Sequence, residues 1–201
     1  MNPVILNDEQ GDVLQEMVNI GIGRASSSIA EMFDTFIHLS VPIIKLSDSR
    51  DVMSDLERNF GNSQVSTVRQ GFHGQLLGEV LAIYGNWDSP RLARLVGYDA
   101  DLGESFHKGL LLDVTNILLG SCVVCFTEQL NLEVAVSPPS VLADNVTADR
   151  MMSEVEIISR TTLSMEMVLK SDALGLSCSV LILVPVPGLY TVLDAVNAML
   201  D

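Results

Sequence analysis

The chain has 201 residues of which 48% are hydrophobic, enough length and apolar content to bury a sizeable core, which excludes a disordered polypeptide. Its 11 Lys and Arg stand against 26 Asp and Glu, a net charge of −15. With no basic cluster, neither counterion release from nucleic acid nor attraction to anionic lipid has anything to run on, so partners should be neutral or carry a basic rim.

Met1 to Asp8 lacks the basic region and long apolar segment of a signal peptide. Asn7 with Gln10 resembles a capping box, and Val13, Leu14, Met17, Val18, Ile22, Ala25, Ile29, Met32 and Phe33 keep helical spacing, which predicts a long helix over residues 7 to 33. Ile37 to Leu46 reads as a strand, and Asp48 to Leu56 as a short helix or loop. Val65 to His73 and Leu76 to Tyr84, separated by Gly74, read as a hairpin, and Ser89 to Val96 as a helix. Gly97 to Gly103 is the only plausible seam. After it the order recurs: a helix from about Glu104 to Leu130, strands over Leu132 to Val141, Val155 to Met167 and Leu176 to Val186, and a closing helix over Leu189 to Leu200.

The longest apolar stretch, near Cys178 to Tyr190, is interrupted by Ser179, Pro185, Pro187 and Gly188 and is too short to span a bilayer. The expectation is a cytoplasmic protein without membrane insertion. Three Cys in that setting fit reduced thiols, and Cys122-x-x-Cys125, placed within an apolar helix, reads as buried small residues rather than a redox pair. His38, His73 and His107 fall in separate elements with no other ligand at metal spacing, so no metal site is expected.

The two halves match at an offset of 97 residues. Glu16-Met-Val-Asn19-Ile-Gly-Ile-Gly23 aligns with Asp113-Val-Thr-Asn116-Ile-Leu-Leu-Gly120, Glu31 falls on Glu128, and Pro42 falls on Pro139. This internal repeat predicts one α+β domain over residues 1–201, made of two αββα-like repeats (about 1–100 and 101–201) related by a pseudo-twofold axis. The repeats are expected to share one antiparallel sheet, with the two long helices on one face. Residues three and four apart lie on one helical face, so Asp12, Glu16 and Asn19 form a polar stripe that Gly23 extends. Asp113, Asn116 and Gly120 repeat it, with Gly109 where Asp12 would be. One such stripe is ordinarily just a solvated face; its duplication asks for a further reason. Gly21 and Gly23, costly inside a helix, suggest close approach by another backbone, with the partner helix of the repeat favoured over a docked protein. Ser26 to Ser28 should pack the helix crossing or face water.

Asp-x3-Glu-x2-Asn followed by 22 residues and Pro, here Asp12, Glu16, Asn19 and Pro42, resembles the signature of the CheC, CheX and FliY chemotaxis phosphatases. Asp113, Asn116 and Pro139 resemble the second signature of the two-motif, CheC-like members. The Asn-Ile-Gly-x-Gly run after Glu16 and the Pro-x-Pro-Gly of Pro185 to Gly188 are also similar, and the resemblance covers essentially the whole chain. It implies a protein aspartate phosphatase acting on a phosphorylated CheY-type response regulator, whose receiver domain supplies the aspartyl phosphate, an active-site Lys and Mg²⁺. No cofactor is expected on this chain. By the resemblance, Asn19 inserts into the regulator and holds a water in line with phosphorus, and Glu16 pairs with the regulator's Lys. Asp12 belongs to the same binding stripe. An amide suits the first task because it both donates and accepts without adding charge beside a phosphoryl group.

The second copy departs from the pattern. Asp113 stands where Glu is expected and is one methylene shorter, so it reaches a lysine only if the helices dock closer or through water; Gly109 stands where Ser or Asp is expected. Asn116 keeps the amide. The rival reading is a catalytically weak adaptor of the same fold that binds a response regulator, the deamidase CheD or a flagellar switch component. A monomer is favoured, although an exposed sheet edge could support a dimer.

Overall fold

The computed structural model describes residues 6–87, 89–95, 103–154 and 161–200. In chain order it contains α1 (Asp8–Met32), β1 (His38–Leu39), β2 (Ile43–Asp48), α2 (Ser49–Phe60), β3 (Gln64–Gly74), β4 (Gly78–Trp87) and α3 (Ser89–Leu95). The second half contains α4 (Glu104–Gln129), β5 (Val134–Val136), β6 (Ser140–Thr147), α5 (Ala148–Glu154), β7 (Thr161–Ser171), β8 (Leu176–Pro185) and α6 (Val186–Leu200). Both halves contribute to one antiparallel sheet in the order β1-β7-β8-β4-β3-β5, with β2 also paired to β7 and β6 to β3. The strands related by the repeat sit at mirrored places in that order, so the pseudo-twofold passes between β4 and β8. Their register, Val80 opposite Ile182 and Ala82 opposite Val180, joins the halves by main-chain hydrogen bonds.

The central strands are buried on both sides and read as continuous apolar runs. Val80, Ala82 and Tyr84 from β4 and Val180, Ile182 and Val184 from β8 meet α1, α4 and α6 in the larger core. Leu81, Ile83, Leu181 and Leu183 point the other way, onto Val52 and Leu56 of α2 and Met151 of α5. The two long helices thus share one face as expected, and the shorter α2 and α5 cover the opposite one.

Several boundaries differ from the sequence reading. The strand expected over Ile37 to Leu46 is split at residues 40–42, and that over Leu132 to Val141 at residues 137–139. Pro42 lacks the N–H that a ladder needs, as do Pro138 and Pro139. The segment that reads as a short helix or loop over Asp48 to Leu56 is helix α2, which runs from Ser49 to Phe60 and whose N-cap Asp48 side chain accepts from Arg50 N. Helix α5 was not anticipated, and α6 starts at Val186 because Pro187 sits in the first turn, where a missing N–H goes unmissed. The seam at 97–102, the end of the helix at Val96 and the start of the strand at 155–160 lie outside the described residues. Among the described residues, α4 is the one helix that is both long and strongly apolar. By length and composition it could cross a membrane, and half of its most apolar window is buried inside the fold.

Candidate functional site

Helix α1 is started by the capping box: Gln10 N donates to Asn7 Oδ1 at 2.8 Å and Asn7 N to Gln10 Oε1 at 3.1 Å. The Gln10 amide also donates to Asn197 Oδ1 of α6 at 2.8 Å, which fixes the helix along its axis. Leu14, Met17, Val18, Gly21, Ile22 and Ala25 are buried. This leaves Asp12, Glu16 and Asn19 on the exposed side.

Opposite that stripe lies the break between β1 and β2. Gln15 Nε2 donates to Pro42 O at 2.9 Å, tying the segment to α1. Ser40 is held to β7 by Ser40 N donating to Val168 O at 2.9 Å and Val168 N donating to Ser40 Oγ at 3.0 Å. The result is a groove of about 430 Å³ lined by Asp12, Gln15, Glu16, Asn19, Val41 and Pro42, among others. The Glu16 carboxylate and the Asn19 amide have no hydrogen-bond or ion-pair partner among the described residues, and both are free to engage an incoming group. Among the described residues no Lys, Arg or His lines this groove. Val41, which lines it, is 71% exposed, and Phe36 and Ile43, near it in sequence, are 72% and 52% exposed. In the second copy, the residues corresponding to Phe36, Val41 and Ile43 are Glu133, Pro138 and Ser140.

The second groove, about 670 Å³, lies between α4 and the β5–β6 break and includes Gln70, Asn116, Gly120, Val124, Ser137 and Pro139. Asp113 is exposed one turn before Asn116 but does not line it. The structure therefore brings Asp12, Glu16 and Asn19 together in one groove and places Asn116 in another without its acidic companion. Asn116 Oδ1 accepts from Gln70 Nε2 at 3.1 Å, a contact the sequence did not suggest across 46 residues. Among the described residues no group of three or more His, Cys, Asp or Glu could hold a metal ion.

The helices carrying the two grooves run antiparallel, since Gln129 Nε2 donates to Met17 O at 3.0 Å while Gly21 lies against Cys122. A Cβ at Gly21 would stand 3.3 Å from Cys122 O. The internal close approach expected of the glycines therefore holds for Gly21; a Cβ at Gly23 meets nothing within 4 Å. Ser26 is buried and its hydroxyl donates to Ile22 O at 2.7 Å, while Ser27 and Ser28 make the same backward bonds on the exposed side.

No family model matches the chain. The CheY-P phosphatase CheC of Bacillus subtilis (strain 168) is 31% identical over 147 residues, which cover 69% of this chain and 68% of that relative. FliY of Thermotoga maritima has the same fold, with a TM-score of 0.69 at 17% identity over 97% of this chain and 99% of that one. The FliM middle domain from H. pylori follows with a TM-score of 0.64 at 11% identity over 94% and 99%. These two likenesses concern the fold; it is the sequence identity to CheC across two thirds of both chains that decides kinship. The chain belongs to the CheC, CheX and FliY chemotaxis family.

Proposed function

We propose that the protein dephosphorylates a phosphorylated CheY-type response regulator in the cytoplasm, with Asn19 positioning the attacking water and Glu16 docking against the regulator's active-site lysine. The observation that carries this reading is the unpartnered pair itself. A carboxylate and an amide three residues apart project from one face of a rigid helix beside an open groove, with no internal hydrogen bond to satisfy first. The name of the Bacillus relative, a CheY-P phosphatase, points the same way.

The chemistry asks little of this chain. Water adds to phosphorus, the bond between phosphorus and the aspartyl oxygen breaks, and the regulator's aspartate leaves as a carboxylate while inorganic phosphate carries away the water's oxygen and protons. Mg²⁺ and the lysine of the regulator neutralise the phosphoryl oxygens. Asn19 contributes placement: its oxygen accepts one water O–H and leaves a water lone pair aimed at phosphorus. Placement of this kind is worth several kcal/mol, and an error of about 1 Å costs on the order of 10²-fold. Helix α1 supplies the required stiffness, held at its start by the capping box and along its length by the core.

The test is the decay of a phosphorylated CheY-type regulator with Mg²⁺, alone and with wild type, Asn19→Ala, Asn116→Ala and the double variant. Asn19→Ala should lower kcat on the order of 10²-fold with KM nearly unchanged, whereas Glu16→Ala should chiefly raise KM. Binding that is lost together with turnover in Asn19→Ala, or no acceleration by wild type with any regulator of the same cell, would move the protein to the adaptor class.

A further inference from the structure

Gln70 sits in the middle of β3 with 2% of its surface exposed. Its amide nitrogen makes two bonds, to Asn116 Oδ1 at 3.1 Å and to Ser137 O at 2.9 Å, while its own Oε1 has no partner among the described residues. A buried amide that leaves its oxygen unsatisfied is poorly explained by stability. The position 97 residues on is Met167 of β7, fully buried and apolar, so nothing equivalent reaches Asn19. Among the described residues, the repeat is therefore broken at the one side chain that hydrogen-bonds to an amide of the paired sites.

We propose that Gln70 is a positioning residue that holds the Asn116 carboxamide with its oxygen turned toward the sheet, and that this hold keeps the second site slow while the first turns over. The inference rests on the phosphatase reading given above. A water about to attack phosphorus must keep one lone pair for the new bond, so the group that orients it has to accept a water O–H. Asn19 can rotate freely to offer its oxygen. In Asn116 one lone pair of that oxygen already accepts from Gln70, itself anchored on the Ser137 carbonyl, so turning the amide toward a water costs this bond; held this way, the amide is left to meet the water with its Nδ2 protons. Those protons bind the very lone pair that attack requires. The shorter Asp113 acts in the same direction by weakening engagement of a lysine.

The experiment uses the full chain in the Asn19→Ala background, where only Asn116 can contribute. Gln70→Met, which copies Met167, and Gln70→Leu should raise kcat for decay of a phosphorylated CheY-type regulator several-fold with KM unchanged, and the gain should vanish when Asn116→Ala is added. An unchanged or lower kcat in both folded variants overturns the proposal. A second readout needs neither turnover nor a substitution in the core. In the wild-type protein the Gln70 side-chain amide protons, followed by NMR, should shift and exchange faster on Asn116→Ala and stay unmoved on Asn19→Ala; unmoved resonances in Asn116→Ala would dispose of the hold. If wild type accelerates no regulator, the phosphatase reading fails on that result, and the hold on Asn116 is judged by the resonances.

Discussion

Tyr84 is the clearest case of one side chain setting the geometry near a site. It is buried in the centre of the sheet and its hydroxyl meets Thr115 Oγ1 of α4 at 2.7 Å, one residue before Asn116. Burial pushes the phenol well above its ordinary pKa, so it stays neutral and able to donate. Tyr84→Phe leaves the Thr115 hydroxyl without this partner in an apolar setting, and we expect a loss of about 1–3 kcal/mol in urea unfolding. An unaltered midpoint and slope would show that the bond contributes nothing net. The pair also illustrates what was hidden in the sequence: Tyr84 read only as a strand residue, and nothing in the spacing linked it to Thr115. The Glu16 and Asn19 stripe was legible because it obeys a local spacing that the repeat prints twice. Gln70 was not, because its partner is chosen by strand pairing and not by spacing.

Among the elements, the crossing of α1 and α4 organises both grooves, and its two glycines play different parts. A Cβ at Gly21 would stand 3.3 Å from Cys122 O, so a branched side chain there has to push the helices apart. Gly23 has open space, so it retains only the helix-propensity penalty. Gly21→Val should lower stability by about 1–3 kcal/mol, and Gly23→Ala should raise it by up to about 1 kcal/mol. Equal effects at the two positions, measured by the same denaturant titration, would refute the assignment of the crossing to Gly21. From sequence, close approach was expected of both, although Gly23 already fell on the polar stripe with Asn19, the face that the structure leaves open. The long helices were readable for different reasons: α1 keeps an apolar periodicity over many turns and carries its own cap, while α4 is apolar nearly all round over a length no strand reaches and repeats the pattern of α1. The strand breaks at residues 40–42 and 137–139 were not, because the apolar residues on either side kept the look of one strand; yet these breaks form the far walls of the grooves.

At the scale of the whole molecule, the core holds ionisable groups in their neutral forms, and this links stability to alkaline pH. Burial raises the thiols of Cys122 and Cys178, and the phenol of Tyr84, above the values they take in the unfolded chain. A folded-state pKa that lies above the unfolded one means that the folded chain keeps its proton longer. The contribution is whole below the unfolded values, near 8.5 for Cys and 10 for Tyr, and is lost progressively above them. Each group that ionises only on unfolding lowers the unfolding free energy by about 1.4 kcal/mol per pH unit in that window. A net charge of −15 adds repulsion of its own, but exposed charges are screened by salt while the buried groups are not. We therefore expect Tm to be nearly flat from pH 7 to 8, to fall steeply above about pH 9, and to keep most of that fall in high salt. Cys122→Ala should lower stability throughout by opening a small cavity, yet flatten the alkaline slope by the share of one thiol. A slope that collapses in salt, or one that Cys122→Ala leaves unchanged, would assign the alkaline loss to surface repulsion and not to the protons held in the core.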